Sequence, residues 1–234
     1  MEPDINKVID WTFPNLSTSY TDVSWLSGRC ILAPTNKVVD AINKLCANRI
    51  PWPASVYVSA DAIVDRENAI AIPTECLNKL NPSGMPPHEL PLKRGMPVML
   101  LRNLCPGKGL CNGTRLIVRK VHNGRILEAS IIGGQFDGDV VFIPRITLEP
   151  KDGDFPFEWN RRQFPVRVAF AMTINKSQGQ SLQRVGVYLG EDIFAHGQAY
   201  VAASRVSHPE NIRFALKRFP SSSTKNIVYK EVLL

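Results

Sequence analysis

The stretch Ala171-Met-Thr-Ile-Asn-Lys-Ser-Gln-Gly-Gln-Ser-Leu182 decides how the chain is read. Val166 to Met172 is a nearly continuous apolar run that predicts a buried strand, and Thr173 to Gln180 follows it as a polar loop. A strand that ends in such a loop belongs to an open α/β sheet, whose ligands bind at the carboxyl edge. The loop collects hydroxyls, amides, one ammonium and one glycine. Gly179 lets backbone N–H groups approach a phosphate closely, and Lys176 supplies positive charge. The spacing fits equally well a short solvent-facing helix capped near Lys176-Ser177, so both readings stand at this point.

Moving outward, Arg184 to Leu189 predicts a second apolar strand, His196 to Val206 a helix and Ile212 to Leu216 a final strand. Within Gly197-Gln-Ala-Tyr-Val-Ala-Ala-Ser-Arg205, Gln198 and Arg205 lie about two helical turns apart and share one face. An arginine there suits a surface ion pair or a phosphate contact. Glu191-Asp192 follows a strand, as a magnesium-binding acid pair would, but reads better as a cap for the next helix. Upstream, Arg29 to Pro34 is a short strand, and Val38, Val39, Ile42 and Leu45 recur at helical spacing from about Lys37 to Asn48, with Thr35 or Asn36 as cap. The first 28 residues read as irregular or short helical structure, Val56 to Val58 as a strand, and Pro73 to Leu80 as a short helix.

Between these α/β parts the texture changes. Pro82, Pro86, Pro87 and Pro91 with Gly84 mark a boundary. Beyond it, Leu92–Leu104, Thr114–Val121, Arg125–Ile132 and Val140–Leu148 are short segments rich in Val, Ile and Leu, separated by glycine turns. They predict a small antiparallel barrel over residues 91–150, inserted between 1–90 and 151–234 of one α/β domain. His122-Asn-Gly-Arg125 is the clearest hairpin, because Asn-Gly accepts the positive φ angles of a type I′ turn. Glu149 to Phe164 reads as a polar, aromatic connector.

The net charge of +7 is unevenly spread. Through Glu89 there are 7 basic against 10 acidic residues, and from Leu90 onward 21 against 11. The later part therefore suits a polyanion, although an evenly solvated basic surface has the same composition. Five cysteines without a CxxC pair argue against a disulfide framework or a zinc site, and read as reduced thiols, Cys105 and Cys111 included. The four histidines lack HExxH spacing, so no metal site is expected. No apolar run reaches the roughly 18 residues of a membrane helix. The first ten residues resemble neither a secretory signal nor a basic transit peptide. The expectation is an intracellular protein, nuclear ahead of cytoplasmic, without membrane contact.

Taken together, the segments 171–182 and 197–205 resemble the later motifs of superfamily-one DNA helicases of the Pif (petite integration frequency) family and its Helitron-transposon relatives. Ile31-Leu-Ala-Pro-Thr-Asn36 is similar to the strand-to-helix motif that opens that family's second RecA-like domain. Leu92 to Leu104 and Gly109 to Arg115 look like its inserted barrel. The resemblance covers roughly residues 29–217. It implies a RecA-like (P-loop NTPase-type) second motor domain with an inserted antiparallel β-barrel, and the activity of an ATP-dependent DNA helicase.

Carried over by position, Arg205 matches the arginine finger, and Gln178, Gly179 and Gln198 join it on the nucleotide side. Thr173, Asn175, Lys176 and Ser177, with Thr35 and Asn36, match the single-stranded DNA track. Lys93, Arg94, Arg102 and Arg115 of the barrel are candidate phosphate contacts. Asn175 stands where the family usually has His, which removes ring stacking and titration from that position. No G-x-x-x-x-G-K-[ST] loop occurs in the sequence. The resemblance therefore implies that ATP and Mg2+ are held mainly by a first RecA-like domain, a partner in cis or in trans, without which the chain would not hydrolyse ATP. The competing reading is a non-enzymatic nucleic-acid-binding module derived from a helicase.

Overall fold

A computed structural model describes residues 4–64, 72–151, 153–216 and 226–229. In chain order the elements are α1 (Ile5–Thr12), α2 (Leu16–Ser19), α3 (Val23–Ser27), β1 (Arg29–Ala33), α4 (Asn36–Arg49), β2 (Ser55–Val58), β3 (Ala60–Ile63) and α5 (Thr74–Lys79). Then come β4 (Glu89–Leu92), β5 (Pro97–Leu100), β6 (Arg115–His122), β7 (Ile126–Ile132), β8 (Val140–Pro144) and β9 (Ile146–Leu148). The last are β10 (Trp159–Gln163), β11 (Val166–Val168), β12 (Ala171–Thr173), β13 (Arg184–Leu189), α6 (Gln198–Ala203) and β14 (Ile212–Leu216).

The chain forms two compact units, Met1–Pro51 with Ala169–Leu234, and Trp52–Val168. The inserted unit is thus wider than the segment 91–150 marked by turn spacing. The extra residues supply β2, β3 and α5 before it and β10 and β11 after it. Their signals are weak because the strands are short and β2 and β3 are largely solvent-facing.

The first unit is a four-stranded parallel sheet in the order β12-β1-β13-β14. Its central strands are almost wholly buried, which is why they read as continuous apolar runs rather than alternating ones. Helix α1 lies against β1, β13 and β14, and α4 lies against β1 and β12. Gly186 of β13 makes the α1 approach possible, since a side chain there would collide with Thr12 and Val8. Helix α4 buries Val39, Ile42 and Cys46, each apolar side chain contributing about 1.5–3 kcal/mol. Burial pushes the Cys46 thiol up to about 12, which removes it from thiolate chemistry near neutral pH.

The apolar run 166–172 is two strands, not one. Val166–Val168 pairs antiparallel with β5, whereas Ala171–Thr173 pairs parallel with β1. No residue of either half is exposed, so hydrophobicity alone cannot show that the chain changes units at Ala169.

The second unit is antiparallel throughout, as expected, but its strands divide among three sheets. They are β11-β5-β6-β7-β8, β3-β10-β9 and the ribbon β2-β4. The β6–β7 hairpin turns where Asn-Gly lies, with Asn123 and Gly124 at φ 49° and 66°. The connector of the sequence reading contains β10, whose Trp159 packs with Leu77, Met85 and Leu148 in a second small core. Arg161, also on β10, is fully buried and bonded to Asp61 by Nη2 at 2.7 Å and Nε at 2.9 Å. All five cysteines are free thiols.

Candidate functional site

Three strands of the parallel sheet deliver their carboxyl ends to one edge. β1 runs into Thr35 and α4, β12 into the loop from Ile174, and β13 into Glu191. Asn43 on α4 secures the outer strand: its amide accepts from the Ala171 N–H at 2.8 Å and donates to the Ala171 carbonyl at 3.2 Å. A buried amide thus replaces the neighbour that edge strand β12 lacks. A single Asn inside a helical pattern gives no periodic signal, so this role of Asn43 is not legible in the sequence.

After Thr173 the chain makes a 3-10 turn, Ile174–Ser177. Ile174 is buried, and the buried Ser177 hydroxyl donates to the Ile174 carbonyl at 2.7 Å. Asn175, Lys176, Gln178 and Gly179 are exposed, and Thr173 is half-buried. Gly179 has φ +76° with no atom near its Cα that would meet a side chain, leaving open space beside its backbone.

Gln198 and Arg205 both reach this turn. The helix predicted over His196–Val206 is shorter, Gln198–Ala203, so Arg205 lies beyond its end and does not share a helical face with Gln198. Gly197 stops the helix from beginning earlier by taking φ +73° at its N-cap. Gln198 is buried; its Oε1 accepts from the Phe194 and Ala195 amides at 3.0 and 3.2 Å, and its Nε2 donates to Asn175 Oδ1 at 3.4 Å. The Arg205 guanidinium donates through Nε to the Val201 carbonyl at 2.8 Å. Through Nη1 it donates to the carbonyls of Ser177 and Gln180, both at 3.0 Å, and through Nη2 to Ser204 Oγ at 2.8 Å. The Leu182 amide returns a bond to the Arg205 carbonyl at 2.9 Å.

Thr35 is the N-cap of α4, but its hydroxyl donates to Glu191 Oε2 at 2.8 Å instead of capping the helix. Glu191 therefore serves the start of α4, not the start of α6 as read from the sequence. Asn36 is exposed at the first turn of α4. The edge thus gathers Thr35, Asn36, Glu191, residues 173–180, Gln198 and Arg205.

A model described as the DNA helicase Pif1 2B domain matches residues 75–121, and a helicase model of the herpes helicase type matches residues 161–229. The chain carries the 2B domain and the carboxy-terminal helicase motifs of the Pif1 family. It is 40% identical over 126 residues to the ATP-dependent DNA helicase PIF1 of Rattus norvegicus, a match covering 53% of this chain and 19% of the relative. The human PIF1 match is 39% over the same length, with the same coverage. The fold is similar to a Pif1 helicase from Candida albicans at TM-score 0.61 and 25% identity, covering 97% of this chain and 56% of that one. A Bacteroides Pif1 structure aligns at TM-score 0.64 and 21% identity, covering 98% of this chain and 51% of that one. The chain therefore corresponds to about half the length of these Pif1 structures, and its matches to the curated Pif1 proteins span about a fifth of theirs.

The Pif1 2B match contains the four basic candidates of the β-rich unit, which differ in exposure. Arg115 is buried at 5% exposure. Arg102 donates to the carbonyls of Gly84, Leu101 and Glu149 and holds loops together. Arg102 and Lys93 are half-buried, and Arg94 is exposed. Among the described residues no group of three or more His, Cys, Asp or Glu side chains could hold a metal ion, and no helix is long and apolar enough to cross a membrane.

Proposed function

We propose that this chain is the carboxy-terminal motor portion of an ATP-dependent DNA helicase, which grips single-stranded DNA and lends Arg205 to ATP hydrolysis. The observation that carries the reading is the state of Arg205. Its guanidinium lies against the 174–180 turn at the carboxyl edge of the sheet, bonded to carbonyl and hydroxyl oxygens, with no carboxylate paired to it among the described residues. A cation held by neutral dipoles keeps its charge for an anion.

On this reading the Arg205 guanidinium meets the γ-phosphate and offsets charge that builds on its oxygens in the transition state. The exposed Gln178 and the open Gly179 backbone lie on the same nucleotide side. Gln198 acts from behind, because its amide is spent on Phe194, Ala195 and Asn175. Thr173, Asn175, Lys176 and Ser177, with Thr35 and Asn36 at the amino end of α4, form the DNA track, where helix N–H groups and an ammonium suit phosphates. Magnesium and most ATP contacts would come from a first RecA-like domain in cis or in trans. Support by likeness comes from the Bacteroides Pif1 protein, solved in complex with ADP-AlF3 and single-stranded DNA.

Two measurements test this. The chain alone should bind a labelled oligothymidylate in a fluorescence anisotropy titration, and Lys176→Ala should lower the salt slope by about one. Joined to a first motor domain, Arg205→Ala should cost about a thousandfold or more in DNA-stimulated ATP hydrolysis. A loss under about tenfold would remove Arg205 from the transition state.

A further inference from the structure

Resting on that functional reading, we infer that Arg205 is also the positioning residue of the DNA turn, and that its two duties compete for the same N–H groups. A guanidinium has five N–H groups in a fixed plane. In Arg205 four of them are directed: one at Val201, two from Nη1 at Ser177 and Gln180, and one at Ser204 Oγ. Ser177 and Gln180 bracket Gln178 and Gly179, so one side chain clamps the turn on both sides of its most open point. Gln198, at the other end of α6, holds Asn175 in the same turn. Helix and turn are stapled at two places by groups that sequence motifs assign to the nucleotide.

The geometry sets the competition. Arginine grips a phosphate with two parallel N–H groups, and only one Nη2 N–H of Arg205 is not directed at a described residue. A two-pronged grip therefore withdraws at least one bond from Val201, Ser177, Gln180 or Ser204. Breaking either Nη1 bond frees a carbonyl of the turn that presents Asn175, Lys176 and Ser177. A grip that takes its second N–H from Nη1 therefore loosens the DNA turn through the very group it binds, whereas one through Nε and Nη2 gives up Val201 and leaves the turn clamped.

The positioning role can be read in the chain without nucleotide, where a residue acting only on ATP would be silent. Arg205→Ala and Arg205→Lys are compared with the unaltered chain for oligothymidylate binding at fixed salt and for thermal melting. Lysine keeps the charge, yet one ammonium cannot span Val201, Ser177 and Gln180 together. Both variants should bind about tenfold more weakly, lysine no better than alanine, with melting shifted by less than about 4 °C. Should Arg205→Ala lose its cooperative melt, Arg205→Lys carries the test. Full binding by Arg205→Ala, or restoration by Arg205→Lys, would overturn the inference while leaving the functional reading intact. Failure of the unaltered chain to bind at low salt would instead overturn the functional reading, and this inference with it.

Discussion

Two arginines organise the two units in opposite ways. In the β-rich unit Arg161 is wholly inaccessible, and its charge is matched by Asp61, itself inaccessible, at 2.7 Å. Its remaining N–H groups go to the carbonyls of Leu77, Leu80 and Pro86. In the parallel unit Arg205 also gathers carbonyls, from Ser177, Gln180 and Val201, but it is half-buried and has no described carboxylate. The hydrogen-bond pattern is the same and the electrostatics differ. A buried ion pair is closed, because removing either charge leaves the other stranded. An arginine balanced by dipoles alone can exchange one for a stronger acceptor. The first arrangement serves structure, the second suits a reaction.

The largest effect expected from this contrast is on stability. Arg161→Met should destabilise the β-rich unit by about 3–5 kcal/mol, because Asp61 is left charged and buried while three carbonyls lose their donor. Adding Asp61→Leu should recover only part of the loss, since the Leu77, Leu80 and Pro86 carbonyls stay unserved. Urea unfolding followed by tryptophan fluorescence measures both. A cost of Arg161→Met below about 1 kcal/mol would show that Arg161 is no more committed than Arg205.

How much of this was legible follows the physics of each signal. The strands β1, β13 and β14, helix α4 and the Asn123-Gly124 turn are local features, in which periodicity or a dihedral requirement names the element without reference to the rest of the chain. The site motifs fell at the sheet edge for the same reason: a parallel strand places whatever follows it at its carboxyl end. What stayed hidden was non-local. The Asp61–Arg161 pair spans 100 residues, and the Thr35–Glu191 bond spans 156. Neither leaves a trace in any window of sequence. The helix carrying Gln198 is shorter than its sequence pattern because Arg205, beyond its end, bonds to the 174–180 turn, a non-local contact. The insertion extends beyond 91–150 on both sides because β2, β3 and β10 are short strands with no strong apolar alternation.

A middle-sized effect comes from giving Arg205 what Arg161 has. Ser204 already accepts from Arg205 Nη2 at 2.8 Å and is exposed. Ser204→Asp would put a carboxylate beside the guanidinium and partly neutralise it. A solvent-exposed pair of this kind adds less than about 1 kcal/mol of stability. In an enzyme completed by a first motor domain, however, ATP hydrolysis should fall about ten- to a hundredfold, because the phosphate meets a compensated charge. Unchanged turnover would mean that the absence of a counter-ion at Arg205 has no functional consequence.

The smallest effect concerns a carboxylate that the parallel unit brings to its edge, Glu191. Glu191 sits at the amino end of α4, where it accepts from Thr35 and is favoured by the positive end of the helix dipole. That position is also where a DNA phosphate would be attracted, so the carboxylate competes with the ligand of the proposed track. Glu191→Gln keeps an oxygen for the Thr35 hydroxyl and deletes only the charge. Stability should fall by about 0.3–1 kcal/mol, the value of a charge at a helix end. Affinity for oligothymidylate should rise about two- to threefold at low salt, and the gain should shrink as salt screens the charge. If affinity falls instead, the carboxylate orients Thr35 toward DNA more than it repels the backbone, and the edge would then have a charge paired to its function, as Arg161 has a charge paired to its fold.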